Sequence, residues 1–268
     1  MTEILVDIGA NLTHDSFDED RDQVIERATD AGVTRIVVTG TNGESSQDAV
    51  ALARTRPGQL YATAGMHPHH ASDYSQAVRD TLAELTEDDA VVAVGECGLD
   101  YFRNFSTPAD QRSAFESQLE LAVQSGLPVF LHQRDAHDDF ATVLKPVIDN
   151  ISAGVAHCFT DDRDALQEYL SMGLYIGVTG WICDERRGGA LKEMVADIPL
   201  DRLMIETDAP YLLPRSLDPK PKTRRNEPAY LTEVLSMIAE AMQESEATVA
   251  QATTANAERF FSLSPFPP

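Results

Sequence analysis

The stretch AVVAVGECGLDY, residues 90–101, places the carboxylate of Glu96 directly behind an apolar, β-branched run. Such a composition is typical of a strand that is buried on both faces of a parallel sheet. An unpaired charge inside such a strand would cost several kcal/mol. The sequence therefore indicates that Glu96 either reaches solvent or has a partner elsewhere in the chain.

Seven other short apolar runs have a similar composition, and each is bounded by glycine or by polar residues. Together with the first run they predict eight strands. The predicted strands are ILVDI (4–8), RIVVTG (35–40), LYATAG (60–65), AVVAVGE (90–96), PVFLH (128–132), GVAHC (154–158), LYIGVTG (174–180) and LMIETD (203–208). Their ends are about 23 to 36 residues apart, which is the length of one strand, one helix and two loops.

The segments between the strands carry helix signals, and the clearest helix lies within residues 107–126. Thr107 is its predicted cap, Pro108 occupies its first turn and Gly126 closes it. Its predicted buried stripe consists of Phe115, Leu119, Ala122 and Val123. Two terminal helices are predicted within about 229–261, one over 229–242 and a shorter one through 256–261.

Eight strands that alternate with helices predict an α/β fold, namely a closed (β/α)8 TIM barrel, with an open doubly wound sheet as the alternative. Barrels of this kind regularly use about 250 residues as one domain. No internal repeat or long linker divides this chain. We therefore predict a single domain over residues 1–268.

The charge of the chain limits how it can bind an anion. Its 44 acidic and 21 basic residues give a formal net charge of −23. That field repels polyanions at long range, so an anionic substrate needs local cations or a metal.

The chain has neither a C-x-x-C pair nor a secretory signal, and no run of about 18 apolar residues. We expect a cytoplasmic monomer that does not span a membrane.

The predicted strand ends carry an unusual number of metal-binding side chains. In a barrel the carboxyl ends of all strands meet at one face, where catalytic residues lie. A single histidine at a strand end is ordinarily a surface or core residue. Here six of the eight ends carry such a group, and the joint pattern favours one shared site: Asp7, His67, Glu96, His132, His157 and Asp208.

Glu96, His132 and His157 come from three adjacent strands and form the predicted metal site. One carboxylate and two imidazoles suit a divalent cation that keeps open positions for water, and they are compatible with Zn²⁺ or Mn²⁺. Asp208, across the barrel mouth, is predicted to hold or deprotonate that water. His67 is predicted to stabilise a substrate phosphate or the leaving group.

Arg103 and Arg134 follow the two strands that carry Glu96 and His132, and they are predicted to contact phosphate. Tyr101, Phe102 and Phe105 flank Arg103, and either stacking on bases or packing in the core is compatible with their positions. The chain has no P-loop and no G-x-G-x-x-G fingerprint, so we expect no nucleotide cofactor.

Several strings of the chain closely resemble the TatD family of metal-dependent deoxyribonucleases. They are GMHPH (65–69), GECGLD (95–100), PVFLH (128–132), HCFT (157–160) and ETDAPY (206–211). The resemblance implies an amidohydrolase-like TIM barrel that hydrolyses DNA phosphodiester bonds, typically from the 3′ end of single strands, with Mg²⁺ or another divalent ion. It implies Glu96, His132 and His157 as ligands, Asp208 as a site carboxylate and His67 beside the phosphate. RNA is a further candidate substrate, and DNA repair or degradation a candidate role.

One departure from the wider family concerns a second metal. That family opens with Asp-x-His-x-His, whereas this chain reads DIGAN over residues 7–11 and lacks both imidazoles. Asp7 and Asp208 are therefore candidates for a weak second ion. Two other functions stay open: a metal-dependent deacylase or amidohydrolase that acts on a carbonyl centre, and a noncatalytic nucleic-acid-binding barrel.

Overall fold

All eight predicted strands are present in the computed structural model, which describes residues 3–263. They are β1 Leu5–Ala10, β2 Val33–Val38, β3 Leu60–Ala64, β4 Val91–Asp100, β5 Val129–Arg134, β6 Gly154–Ala156, β7 Tyr175–Val178 and β8 Leu203–Ile205. They form one eight-stranded sheet in chain order. With a helix between successive strands this is the (β/α)8 barrel class, so the predicted fold class is confirmed.

Within the described residues the α-helices are α1 Arg21–Asp30, α2 Gly43–Ala53, α3 Gln76–Leu85, α4 Pro108–Ser125, α5 His137–Leu144, α6 Arg163–Ser171, α7 Gly189–Met194, α8 Leu231–Met242 and α9 Glu246–Phe260. Short 3₁₀ segments occupy Asp15–Phe17, Pro68–Asp73, Gly180–Cys183, Val195–Asp197 and Pro228–Tyr230. None of the helices in the described part of the chain is both long and apolar enough to cross a membrane.

Helix α4 begins and ends where its sequence signals predict. The Thr107 side chain accepts a hydrogen bond from the backbone N–H of Asp110, and Gly126 ends the helix in the left-handed conformation at φ 72°. Its buried stripe differs from the prediction at one position, because Val123 is 41% exposed. The stripe is instead completed by Ala114 and Leu121, which are buried.

The chain divides into two compact units. Within the described residues, unit 1 consists of 3–38, 158–163 and 176–263, and unit 2 consists of Thr39–His157 and Asp164–Tyr175. The predicted single domain over residues 1–268 includes 1–2 and 264–268, which lie outside the described residues. It stays a prediction.

Unit 1 contains β1 and β2, which pair in parallel, and β7, whose residues from Ile176 on pair in parallel with β8. The chain beyond β8 returns to β1, since the N–H of Asp208 donates to the carbonyl oxygen of Gly9 at 2.8 Å. Helix α9, which is longer than predicted, packs against both β1 and β8. Its Glu258 pairs at 2.6 Å with the buried Arg35.

Unit 2 contains β3 to β6, each paired in parallel with the next. Strand β4 is ten residues long and buried throughout, so it runs on past Glu96 to Asp100. The prediction that the strand stops at Glu96 is therefore wrong. A charge ordinarily ends a buried strand, but here the charge of Glu96 is compensated inside the fold.

Candidate active site

The carboxylate of Glu96 in β4 is the centre of a cluster of three histidines in unit 2. Glu96 is buried, and three imidazole nitrogens approach its Oε1 atom. The distances are 2.7 Å from Nε2 of His157, 2.8 Å from Nδ1 of His132 and 3.3 Å from Nε2 of His67. Glu96 thus lies inside the apolar strand because it has partners, all of which come from other strands or from the segments that follow them.

Strand pairing sets the positions of these histidines. His67 directly precedes the 3₁₀ segment Pro68–Asp73, and His157 directly follows β6. His132 lies within β5, opposite Gly98 of β4. Gly98 has a φ of 145°, and a Cβ there would collide with the carbonyl oxygen of His132. Only glycine therefore lets β4 and β5 approach so closely beside the cluster.

The hydrogen bonds of His67 assign its proton. Its Nδ1 accepts the backbone N–H of His69 at 3.0 Å. A neutral imidazole carries one proton, so that proton is on Nε2, the atom that faces Glu96. Burial lowers the pKa of His67 to about 4, although Glu96 opposes this. His67 is therefore a neutral hydrogen-bond donor near neutral pH.

Burial and neighbouring charges have opposite effects on the pKa values of Glu96 and His132. Burial would raise the pKa of Glu96, but the surrounding histidines outweigh it and hold this pKa well below its ordinary value. Burial would also lower the pKa of His132, but the neighbouring carboxylates of Asp100 and Glu96 raise it above its ordinary value. Glu96 is accordingly an anion and His132 lies between two carboxylates.

A second carboxylate, Asp100, lies four residues beyond Glu96 on the same strand and has no exposed surface. Its Oδ2 lies 2.7 Å from Nε2 of His69 and 3.5 Å from Nε2 of His132. Its backbone N–H donates to the side chain of Gln111 in α4, which holds the end of β4. Burial would raise the pKa of Asp100, but its hydrogen-bond partners hold it well below the ordinary range.

Asp100 and His69 are not among the site residues that the sequence predicts. The ring of His69 lies 4.1 Å from that of His67, measured between ring centroids. A signal for Asp100 was available, because side chains two and four residues apart on a strand share one face. Glu96, Gly98 and Asp100 have that spacing. This spacing is informative only if β4 is known to continue past Glu96 to Asp100.

The two arginines predicted to contact phosphate both lie in unit 2. The backbone N–H of Arg103 donates to Oδ1 of Asp100, and its guanidinium Nη1 lies 3.7 Å from the other oxygen of that carboxylate. The guanidinium of Arg134 lies 5.2 Å from the centroid of Phe102. Arg103 is 53% exposed in its side chain, so its charge is accessible.

The two remaining predicted residues, Asp7 and Asp208, lie in unit 1. Asp7 is fully buried, and its carboxylate accepts hydrogen bonds from the N–H of Gly9 and from both the N–H and the hydroxyl of Thr207. Burial raises the pKa of Asp7 to about 7, although the bonds from Thr207 oppose this. Asn11 donates through Nδ2 to Oδ1 of Asp208 at 3.0 Å.

The donor set in unit 2 fits a divalent cation. Ligand atoms of His67, Glu96 and His132 all lie within 4.8 Å of one another, and Nε2 of His157 lies beside the same carboxylate oxygen. The imidazole nitrogens suit an ion such as Zn²⁺, and the carboxylate also suits Mg²⁺ or Mn²⁺. The protonated Nε2 makes His67 the least suited of the four to be a ligand.

Comparison with known proteins shows the family to which this chain is similar. The family model described as TatD related DNase matches residues 6–262. The 3'-5' ssDNA/RNA exonuclease TatD of Pectobacterium carotovorum is 51% identical over 259 residues, which are 97% of this chain and all of that protein. The crystal structure of YJJV, a TatD homologue from Escherichia coli K12, has a TM-score of 0.89 and 30% identity and covers 98% of this chain and 100% of that one.

A second solved structure, the TatD family hydrolase of Entamoeba histolytica, has a TM-score of 0.88 and 28% identity, and covers 98% of this chain and 100% of that chain. The matches therefore span almost the full length of this chain and of its relatives. The chain belongs to the TatD related DNase family.

Proposed function

We propose that this chain is a divalent-metal-dependent exonuclease that hydrolyses the phosphodiester bonds of single-stranded DNA from the 3′ end, with RNA as a second substrate. One observation carries the proposal: three imidazole nitrogens surround a single buried carboxylate oxygen of Glu96. Membership of the family and the name of the relatives, 3'-5' ssDNA/RNA exonuclease TatD, support the choice of substrate.

The metal ligands in this proposal are Glu96, His132 and His157. When bound, a divalent cation supplies Lewis acidity and makes hydroxide available near neutral pH. We propose Mg²⁺ as the functional ion, with Mn²⁺ and Zn²⁺ as alternatives because imidazole nitrogen suits them. The anionic state of Glu96 supports cation binding, since this carboxylate stays ionised despite its burial.

His67 is proposed to act on the substrate and not on the metal. Its Nε2 proton faces the cluster, and its ring is neutral near pH 7. A neutral N–H can donate to a phosphoryl oxygen or to the leaving oxygen as negative charge develops there. Arg103 and Arg134 are proposed to contact the neighbouring phosphates, which the negative charge of the whole chain would otherwise repel.

Asp208 stays the predicted base that deprotonates the attacking water. Its place in the family motif supports this role, and so does Asn11, which orients one of its carboxylate oxygens.

A weak second ion on Asp7 and Asp208 also stays a prediction. The hydrogen bonds that Thr207 and Gly9 make to Asp7 compete with such an ion, which supports weak binding only. A cytoplasmic location and a monomeric state stay predictions from the sequence.

The test is digestion of 3′- and 5′-labelled single-stranded DNA, duplex DNA and RNA with Mg²⁺, Mn²⁺ or Zn²⁺, and with a chelator. We expect stepwise shortening from the 3′ end of single strands, with no product after chelation. Glu96→Ala should lose this activity and its bound metal, whereas Glu168→Gln, which changes a carboxylate paired with His137 in the same unit, should keep both.

Three outcomes would contradict the proposal. Full activity of Glu96→Ala would remove the metal centre from the mechanism. Hydrolysis of amides or esters without release of nucleotides would favour the deacylase. Metal-dependent binding of DNA without cleavage would favour the noncatalytic barrel.

A further inference from the structure

Two large apolar side chains beside the candidate active site face solvent. Phe102 is 60% exposed and Phe105 is 71% exposed. Both lie in the short connection of residues 101–107 between β4 and α4, which starts immediately after Asp100. Tyr101 in the same connection is only partly exposed, and its hydroxyl donates to Asp139 at 2.8 Å. Core packing is therefore excluded for the two phenylalanines.

Their exposure is not the result of a loosely attached segment. The Ser106 hydroxyl donates to the carbonyl oxygen of His69 and accepts the backbone N–H of Ser72. Gln111 of α4 donates through Nε2 to the carbonyl oxygens of Ser106 and Asp100. These bonds hold the connection at both ends, so the two rings are presented at defined positions.

Each exposed ring lies beside an arginine or a histidine side chain. The guanidinium of Arg134 is 5.2 Å from the centroid of Phe102, and the ring of His69 is 4.8 Å from that of Phe105. His69 in turn lies against His67, whose Nε2 faces Glu96. The exposed aromatic surface is thus continuous with the candidate active site within unit 2.

This combination suits one class of ligand. Exposed aromatic rings with arginines between them bind unpaired bases by stacking and the backbone phosphates by charge. The bases of a duplex are stacked on one another and cannot offer a free face to such rings. In a chain of net charge −23, local stacking and local cations have to supply the affinity for a polyanion.

We propose that Phe102 and Phe105 form a stacking platform for unpaired bases of a single strand whose scissile phosphate lies at the Glu96 centre. This inference rests on the proposed nuclease function and adds the element that selects single strands. Arg134 and Arg103 contact the phosphates between the stacked bases.

The test compares two fluorescein-labelled probes in equilibrium binding: an oligothymidylate with phosphorothioate linkages that resist cleavage, and an abasic strand of the same length and linkage. Phe102→Ala and Phe105→Ala should each weaken binding of the oligothymidylate about tenfold, the effect of losing one stacked base. Phe102→Leu and Phe105→Leu should weaken it similarly, because leucine is apolar but has no π face. Phe102→Trp and Phe105→Trp should keep it. The abasic strand should bind all variants equally.

Val123→Ala is the matched control, since it removes exposed apolar surface from α4 in the same unit. It should bind both probes like the wild type, and thermal unfolding should show that every variant folds. Equal losses on both probes, retained affinity in the leucine variants, or no loss in the alanine variants would overturn the platform.

The same proteins are assayed for cleavage of an ordinary phosphodiester strand with Mg²⁺. If the wild type cleaves while the alanine variants bind and cleave normally, the platform is wrong and the proposed function stands. If the wild type neither binds nor cleaves the strand, both are wrong.

Discussion

Nε2 of His69 lies 2.7 Å from Oδ2 of Asp100, a carboxylate without exposed surface that also lies 3.5 Å from Nε2 of His132. The carboxylate of Asp100 therefore lies close to the rings of His69 and His132, and it approaches His132 at the ring nitrogen that faces away from Glu96. Carboxylates in this position orient a histidine ligand and keep its other nitrogen directed at the metal. We therefore expect Asp100 to help position Nδ1 of His132.

Asp100→Asn should weaken metal binding about 10- to 100-fold, because the neutral amide orients His132 less strongly. Calorimetric titration of the metal-free protein with Mn²⁺ measures this without reference to activity. Glu168→Gln is the matched control, since Nε2 of His137 lies 2.7 Å from Glu168 in a histidine–carboxylate pair of the same length. Equal Mn²⁺ affinity of Asp100→Asn and the wild type would remove the positioning role.

His67→Ala should separate metal binding from turnover. We expect kcat to fall about 10²- to 10³-fold, because the Nε2 donor is lost, while the bound metal stays at its wild-type level. His132→Ala and His157→Ala should instead lose metal, as elemental analysis would show. Loss of metal from His67→Ala would make His67 a ligand and contradict the proton assignment.

Asp7→Asn should alter how stability depends on pH. The pKa of Asp7 is raised from 3.8 to about 7 by burial, so the folded state keeps a proton that the unfolded state releases. The wild type therefore loses stability as pH rises through this range, whereas the asparagine variant has no proton to lose. Between about pH 5 and about pH 8, the free energy of unfolding of the wild type should therefore fall by about 3 kcal/mol relative to that of Asp7→Asn.

Urea unfolding of both proteins in metal-free buffer checks this expectation. Parallel curves of unfolding free energy against pH would show that Asp7 is ionised in the folded protein throughout the range.

Gly98→Ala should destabilise unit 2 and disturb the candidate active site. The Cβ would collide with the carbonyl oxygen of His132, and the φ of 145° is unfavourable for alanine. We expect a loss of about 2 kcal/mol or more in unfolding free energy, together with weaker Mn²⁺ binding. Gly126→Ala is the control, because Gly126 also has positive φ but has nothing within 4 Å of its Cβ position. If both variants behave alike, the close approach of β4 and β5 is not what requires glycine.

Much of the fold followed from local patterns. The eight β-branched runs, the Thr107 cap and the Gly126 end of α4 each depend on a few adjacent residues, and the structure contains all of them. Val123 was misassigned because helical spacing defines a stripe only to within one neighbouring position. The end of β4 was misplaced because a charge usually ends a buried strand.

Local patterns in the chain were enough to indicate the eight strands, the barrel fold class and four residues of the candidate site, namely His67, Glu96, His132 and His157. The shared approach of His67, His132 and His157 to one oxygen of Glu96, the second carboxylate at Asp100, and the exposure of Phe102 and Phe105 came from the folded structure. The reason is physical. Periodicity and capping are short-range properties of a segment, whereas the contacts of a side chain depend on the register and pairing of strands that are distant in sequence.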